Sequence, residues 1–362
     1  MNKLSCYIPL LCLVLPAFTA CKKMDDTYRK FAVPDGIFYS GKANQPQVHA
    51  GHNRAKITWL RNADPNVATA KVFWNNYTDS ISVTIPPAGD TISCIISNLP
   101  EKIYSFIIKT YDAKGNSSVP VEVFGASYGD TYQSSLLSRI VLNTVLYPDS
   151  AVATWSSADI SNGAYATQIK YTDTLGNNRV SSFPISSTTS AIRDLKPGTG
   201  YQYRTVFLPD SLSIDTFYTD YVTSRPFAIR PQNWKIANSS SPLPGDQYTV
   251  TNMIDGNPRT LWVGQPAYPH WFSVDMGTPH QITSFTLYRA PGDDRGCDTF
   301  KLWTSSDNIT WTDLGTFTFN RQTDEGQLFN IPLHPWARYF KFTGLTGPQS
   351  YIVLGDISAE GF

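Results

Sequence analysis

Two stretches of this chain repeat one another at a fixed distance. Ala55-Lys56-Ile57-Thr58-Trp59 lines up with Ala151-Val152-Ala153-Thr154-Trp155. Ser97-Asn98-Leu99-Pro100, followed by Tyr104, lines up with Arg193-Asp194-Leu195-Lys196-Pro197, followed by Tyr201 and Tyr203. Trp59 and Trp155 are 96 residues apart, as are Leu99 and Leu195. A period of about 100 residues is the size of a domain, so each copy is one module. Between the anchors run alternating segments such as Ala70-Lys71-Val72-Phe73-Trp74 and Thr167-Gln168-Ile169-Lys170-Tyr171, the period of half-buried strands. Turn signals recur, among them Asp112-Ala113-Lys114-Gly115-Asn116 and Asp173-Thr174-Leu175-Gly176-Asn177-Asn178, which is the rhythm of a β-sandwich.

Composition agrees. The 362 residues suggest two or three domains, with 13% aromatic residues, 25 Pro and 23 Gly, a β-rich mixture. Lys+Arg and Asp+Glu both number 29 and charged residues are only 16%. That balance excludes a nucleic-acid or other polyphosphate partner, which needs a basic surplus. With 41% hydrophobic residues the chain can bury real cores and is no disordered scaffold.

The N-terminus reads as an address. Lys3 begins a positive region, Cys6–Leu15 is apolar, and the segment closes on Phe18-Thr19-Ala20-Cys21. The apolar run is too short to span a bilayer, for which ~20 residues are needed. Residues 1–20 read as a secretory signal, and the closing Cys resembles a bacterial lipobox in which Phe18 replaces the usual Leu. The resemblance implies that Cys21 is lipidated and becomes the first residue of the mature chain, anchored stably by several acyl chains. Lys22-Lys23-Met24-Asp25-Asp26 lies in a tether, 21–35. It resembles the surface-export signals of Gram-negative glycan-utilising bacteria, with a plain solvated tether as the other reading. The expectation is an outer-membrane lipoprotein exposed at the cell surface. Cys94 and Cys297 remain in the body, in different modules, and read as small buried hydrophobes with no disulfide between them.

A Trp in an early strand, then Leu195-Lys196-Pro197-Gly198-Thr199-Gly200-Tyr201 before a late one, resembles fibronectin type III repeats. The resemblance implies that Trp155 fills the sandwich core and that the Tyr pins the corner turn. The first copy lacks the Gly-Thr pair. Its opening, Met24-Asp25-Asp26-Thr27-Tyr28 through Trp74-Asn75-Asn76, resembles an uncharacterised N-terminal domain of Gram-negative lipoproteins. The modules are expected over 36–128 and 129–226. His49 and His52 lack a third ligand and read as loop residues; Trp74 and Tyr77 read as half-buried strand aromatics. Both modules read as spacers.

After the Pro-punctuated linker Arg225–Pro231 the pattern changes. Met253-Ile254-Asp255-Gly256-Asn257-Pro258-Arg259-Thr260-Leu261-Trp262 is followed by Pro269-His270-Trp271-Phe272-Ser273-Val274-Asp275-Met276-Gly277. Then come Phe300-Lys301-Leu302-Trp303-Thr304-Ser305-Ser306-Asp307 with Trp311, Ala337-Arg338-Tyr339-Phe340-Lys341-Phe342, and Leu354-Gly355-Asp356-Ile357. This ordered series, over 232–362, resembles the discoidin, or coagulation factor 5/8 type C, family, whose bacterial members form carbohydrate-binding module family 32. The expected fold class is therefore all-β: three β-sandwich domains in tandem, two immunoglobulin/fibronectin III-like, then a galactose-binding-like jelly-roll sandwich. Trp262, Trp271, Trp303 and Trp311 fall in strand motifs and read as core.

Asp255-Gly256-Asn257 needs its glycine for a sharp turn and gathers oxygen donors that suit Ca2+. The family resemblance implies a structural Ca2+ held by the backbone carbonyls of Asn252, Asn257 and Gly355, by Thr260 through its carbonyl and hydroxyl, and by the carboxylates of Asp255 and Asp356. Asp356 stands where the family usually has Glu; an Asx-turn without metal is the other reading. Ligand binding in family 32 modules lies on loops at one end of the sandwich. There the chain offers Gln265, Tyr268 and His270, then Arg289, Asp293, Asp294 and Arg295, and finally Tyr351. This mixture of planar donors, acceptors and rings suits sugar hydroxyls and the apolar sugar face. Arg289 and His270 are the expected hydroxyl contacts, and Tyr351 or Tyr268 the stacking ring. The bland readings are that His270 bonds only within its loop and that Asp294 and Arg295 form a surface ion pair.

There is no nucleophile elbow, zinc-binding His motif, P-loop or dinucleotide fingerprint. Nothing in the sequence brings together the carboxylate pair that a glycosidase needs. The expected function is a non-catalytic, lipid-anchored surface protein that captures glycans for a polysaccharide-utilisation system. Its partners would be a glycan or glycoprotein, the membrane through its anchor, and an outer-membrane transporter or glycosidase. An adhesin for host glycoprotein or matrix, or a scaffold docking a neighbouring transporter or enzyme, are the alternatives.

Overall fold

The computed structural model describes residues 36, 38–147, 150–229, 233–240, 247–264 and 267–362. The expected signal (1–20), lipidation site Cys21, tether (21–35) and site residue Gln265 lie outside them. Strand makes up 54% of the structure and helix 5%, so the all-β reading holds. The described residues form two compact units, one of residues up to 127 apart from 50–52, the other of residues 50–52 and 128–362.

The first unit contains β1 (Asn44–Gly51), β2 (Arg54–Leu60), β3 (Val67–Trp74), β4 (Asp79–Thr84), β5 (Thr91–Ser97), β6 (Lys102–Asp112) and β7 (Val121–Ser127). They make sheets of order β1-β2-β5 and β4-β3-β6-β7. In β2, Ala55, Ile57 and Trp59 point inward while Lys56 and Thr58 stay half-exposed. Val72, Phe106 and Ile108 meet them from the facing sheet, closing one core. Tyr104 pins the corner, its hydroxyl donating to the Pro100 carbonyl at 2.9 Å.

The second copy opens with a short helix, α1 (Asp130–Ser135), then β8 (Val141–Leu146), β9 (Ser150–Trp155), β10 (Ala164–Thr172), β11 (Asn178–Pro184), β12 (Thr189–Arg193), β13 (Gln202–Phe207), β14 (Phe217–Tyr218) and β15 (Val222–Thr223). The repeat is real in detail. Trp155 fills the core as Trp59 does in the first copy. Asn98 and Asp194, 96 positions apart, share a left-handed backbone with φ 57° and 55°, a conformation that Asn and Asp tolerate best after Gly. Asp173 caps its hairpin by accepting from the backbone N–H of Leu175 and Asn177. The corner differs from expectation. Tyr201 is buried, but its hydroxyl pairs with Thr144 Oγ1 at 2.7 Å on the opposite sheet and not with the corner turn, because the ring points inward onto Phe227.

The segment read as a linker is structural. β16 (Phe227–Ile229) runs parallel to β8 and antiparallel to the last strand, β25 (Asp356–Gly361). Through it one sheet continues from the middle sandwich into the C-terminal one. Its alternation explains this: Phe227 and Ile229 are buried and Ala228 faces out. The Phe227 ring meets Phe362 edge-on at 5.3 Å. Gly198 and Gly200 leave space at the same junction, since a Cβ on them would lie 3.0 Å from the Trp336 ring and 3.2 Å from that of Phe362.

The C-terminal sandwich is built from β17 (Lys235–Ser239), a 3-10 turn (Val250–Ile254), β18 (Trp262–Gly264), β19 (His270–Tyr288), β20 (Thr299–Ser305), β21 (Thr312–Thr318), β22 (Gln327–Asn330), β23 (Trp336–Thr346), β24 (Ile352–Leu354) and β25. Strand β19 serves both layers. Its first half pairs with β17 and β23, its second with β22 and β25, and the register breaks between Asp275 and His280. Gly277, at φ 85°, makes that bend. Phe272, Phe285, Phe300, Phe340 and Phe342 dominate the core, each contributing about 1.5–3 kcal/mol by burial. Of the four tryptophans read as core, only Trp262 belongs to it. Trp303 alternates out of phase with buried Leu302 and Thr304, so it stands on the outer face. Trp271 and Trp311 are likewise half-buried. Cys94 and Cys297 are free thiols; Cys297 is fully buried, whereas Cys94 is only partly so.

Candidate functional site

Loops meet at one end of the C-terminal sandwich because the strands that carry them are paired. Gly264 at the end of β18 pairs with Ile352, Asp298 N–H donates to the Thr346 carbonyl at 2.7 Å, and Val353 N–H donates to the Arg295 carbonyl at 3.1 Å. Loops 289–298 and 347–351 are thereby held side by side, with Tyr268 and His270 beneath them.

Three of the expected sugar contacts converge. Arg295 binds Asp293 through two parallel bonds, Nε to Oδ1 at 2.8 Å and Nη2 to Oδ2 at 2.5 Å. Its Nη1 donates to the Tyr351 hydroxyl at 3.3 Å, and the guanidinium carbon lies 5.6 Å from that ring's centre. The Arg295 hydrogen bonds hold the Asp293 carboxyl below the usual carboxylate range. Arg295 remains 46% exposed, so its fork faces solvent at the rim. The ion pair therefore uses Asp293 and not Asp294, since Asp293 Oδ1 also accepts the Arg295 backbone N–H and closes a local turn.

Three others do not present themselves. His270 is 1% exposed, and its Nε2 donates to the Ser350 carbonyl at 3.0 Å. It pins the 347–351 loop and cannot reach a sugar hydroxyl. Burial also pushes its imidazole below the ordinary range. Tyr268 packs against the core with its ring 4.5 Å from His270, and its buried hydroxyl has no hydrogen-bond partner among the described residues. Its face is thus unsuited to stacking. Arg289 is 11% exposed, its Nε on Asp324 Oδ1 and its Nη1 on the Arg321 carbonyl. It ties the loop down from within. Arg321 completes the brace through Asp298 at 2.7 Å and the Asp294 carbonyl at 2.6 Å. Asp298, Arg321 and Asp324 escaped sequence reasoning; the polar run Asn320–Gly326 between β21 and β22 was the signal available.

Of the expected metal ligands, Asp255, Asn257 and Thr260 lie together in one turn. Asp255 Oδ1 accepts the Asn257 N–H at 2.8 Å, and its Oδ2 lies 2.7 Å from the Thr260 hydroxyl, which is equally close to the Asn257 carbonyl. The Asn252 side chain donates to the Leu261 carbonyl at 2.7 Å, fixing the turn. Gly355 packs against this turn, and a Cβ there would lie 2.7 Å from the carbonyl oxygens of both Pro258 and Arg289. Next to it Asp356 is buried with Oδ1 unpartnered. Burial, with the neighbouring Asp255 charge, pushes its carboxyl up to about 7. An orphaned buried carboxylate oxygen beside a second carboxylate, in a cradle of carbonyls, fits a divalent cation with oxygen preference. In the other sandwiches, His49 Nε2 lies 2.9 Å from Thr58 Oγ1, and the His52 ring lies 3.2 Å from an Asp130 oxygen and 5.2 Å from the Phe217 ring centre.

Comparison with known proteins follows the same division. Residues 235–355 match the F5/8 type C domain. Over 126 residues, 31% of this chain and 18% of the other, the sequence is 29% identical to a sialidase of Micromonospora viridifaciens. The chain therefore spans less than a fifth of the length of that curated relative. Among solved structures, the C-terminal domain of a chitobiase from Bacteroides fragilis is 21% identical, with a TM-score of 0.35 over 37% of this chain and 97% of that one. The family 32 carbohydrate-binding module of Clostridium perfringens NanJ, in complex with galactose, is 17% identical, with a TM-score of 0.34 over 37% and 97%. Residues 21–217, more than half of the sequence, match DUF4998, a domain of unknown function. The chain belongs to the DUF4998 family and ends in an F5/8 type C domain.

Proposed function

We propose that this is a non-catalytic carbohydrate-binding protein whose C-terminal sandwich takes a sugar at the rim formed by Asp293, Arg295 and Tyr351. The observation that supports this reading is the side-by-side placement of an exposed guanidinium, a carboxylate and an aromatic ring on two braced loops. Arg295 and Asp293 offer paired donors and acceptors to vicinal hydroxyls, and Tyr351 offers a ring for the C–H face. The brace of Arg289, Asp324 and Arg321 pre-organises the loops, which reduces the ordering cost of binding. The role is capture: single-site affinity is weak, and many copies on one surface raise it by avidity.

A Ca2+ held by Asp255, Asp356, Thr260 and the carbonyls of Asn252, Asn257 and Gly355 would supply the positive charge that the buried Asp356 lacks. It would join the 255–260 turn to β25 and leave the sugar rim untouched. Anchoring through a lipidated Cys21, with surface exposure and service to a polysaccharide-utilisation system, completes the reading; it rests on the N-terminal sequence, and protease treatment of intact cells tests the exposure.

A glycan array on the full chain tests the sugar site. Arg295→Ala and Tyr351→Ala should each weaken binding at least fivefold and leave the thermal transition within about 2 °C, since both side chains lie at the rim. Binding unchanged in both variants refutes the site, and no glycan binding by the full chain refutes the reading.

A further inference from the structure

The outer face of the sheet β17-β19-β23-β20-β21 carries a cation that has no counter-ion among the described residues. Lys341 on β23 stands directly opposite Trp303 on β20. Its ammonium lies 5.1 Å from the Trp303 ring centre and 4.8 Å from that of Trp311. Lys301, on the same face, is 5.1 Å from the Trp303 ring but bonds to Asp313 at 2.6 Å. Among the described residues no carboxylate pairs with Lys341. Two indole rings attract an ammonium through their quadrupoles, but they replace water without accepting its hydrogen bonds. Burial accordingly pushes the Lys341 amine below its ordinary range. All three side chains are half-buried, which leaves part of the cluster open to solvent.

We infer that Trp303, Trp311 and Lys341 form a second saccharide-binding surface, one that takes a carboxylate-bearing sugar unit. The ammonium keeps donors for the carboxylate, and a charge-assisted bond in this partly desolvated place is stronger than one in water. The half-exposed indole rings beside it provide apolar contact for the sugar ring. Lys341 lies five residues before the Thr346 end of β23, roughly 17 Å along the strand from the loop rim, so the two surfaces are separate. Neutral sugars satisfy the rim and lack what Lys341 needs.

Titration of the full chain with polygalacturonate at low ionic strength tests this, with neutral galactan and fully methyl-esterified polygalacturonate as companions. Lys341→Met keeps the aliphatic stem over the rings and should weaken polygalacturonate binding about tenfold, whereas Lys341→Arg should keep most of it. Asp293→Ala/Tyr351→Ala should leave it within about twofold, which separates failure here from failure of the rim. The proposal is overturned if the full chain ignores polygalacturonate, if the methyl ester binds equally well, or if Lys341→Met binds as the unaltered chain does.

Discussion

The two copies of the repeat share their framework and differ at their edges. Both bury a Trp on the equivalent strand and turn through a left-handed Asn or Asp. In the first copy Tyr104 reaches its own corner. In the second, Tyr201 turns inward to Thr144 and lies against Phe227 of β16, 5.6 Å between ring centres. The second copy also has Gly198 and Gly200 where the first has no glycine, and those glycines clear space for Trp336 and Phe362. A sandwich becomes a junction when an edge strand accepts a neighbour and a corner loses its side chains. Three residues of β16 suffice, because each of their two sides finds a strand.

Removing the ring at that junction should have the largest effect. Phe227→Ala empties a fully buried site shared by the middle core and Phe362, and should cost about 3–5 kcal/mol. In calorimetry the transition of the second unit should fall as one. Phe106→Ala, equally buried in the first unit, should leave that transition in place. If Phe227→Ala moves only part of the second transition, the two sandwiches are not one cooperative body.

Acidification should separate the units next. Burial pushes the His280 imidazole down to about 4, so this group stays neutral when folded while the unfolded chain protonates near 6.5. The unfolded state binds more protons at this group in that window, so its contribution to stability falls as pH drops from about 6.5 towards 4. The Asp356 carboxyl of the same unit, held up to about 7, takes up its proton when folded and works in the opposite sense, so the His280 contribution is read by difference: relative to the unaltered chain, His280→Gln should gain on the order of 5 °C in Tm between pH 6.5 and 4. An unchanged slope in that variant would assign the loss elsewhere.

The smallest effect tests the corner. Gly198 has φ 75°, and Gly198→Ala should cost about 1–2 kcal/mol from left-handed backbone alone, with the new methyl against Trp336. The same melt should show the first unit unaffected. A neutral outcome would mean that the turn relaxes away from Trp336.

Much of this was legible in the chain. The 96-residue repeat, its alternation and the Asp-x-x-Gly turns led to the sandwiches because in-out patterning and left-handed turn positions are local properties. The loop rim was legible only by segment. Residue type picks out Gln265, Tyr268, His270, Arg289, Asp293, Asp294, Arg295 and Tyr351, but not which of them face out, and His270, Tyr268 and Arg289 turn inward. Their fate depends on partners 30 to 80 residues away, Arg321 and Asp324 for one and Ser350 for another. Trp303 and Trp311 were misplaced for a related reason: aromatic type suggests core, while strand phase, set by Leu302 and Thr304, puts Trp303 on the outer face.

The sequence by itself determined the strand alternation, the repeat, the turns and the set of loops from which a site can be drawn, since each follows from neighbours within a few residues. Tertiary structure alone decided that a segment rich in proline would be a shared strand, that Asp356 would be buried with an unpartnered oxygen, and that Arg295 would lie at the loop rim and Lys341 between two indole rings. Burial and pairing are properties of chain segments far apart in sequence, and no local pattern carries them.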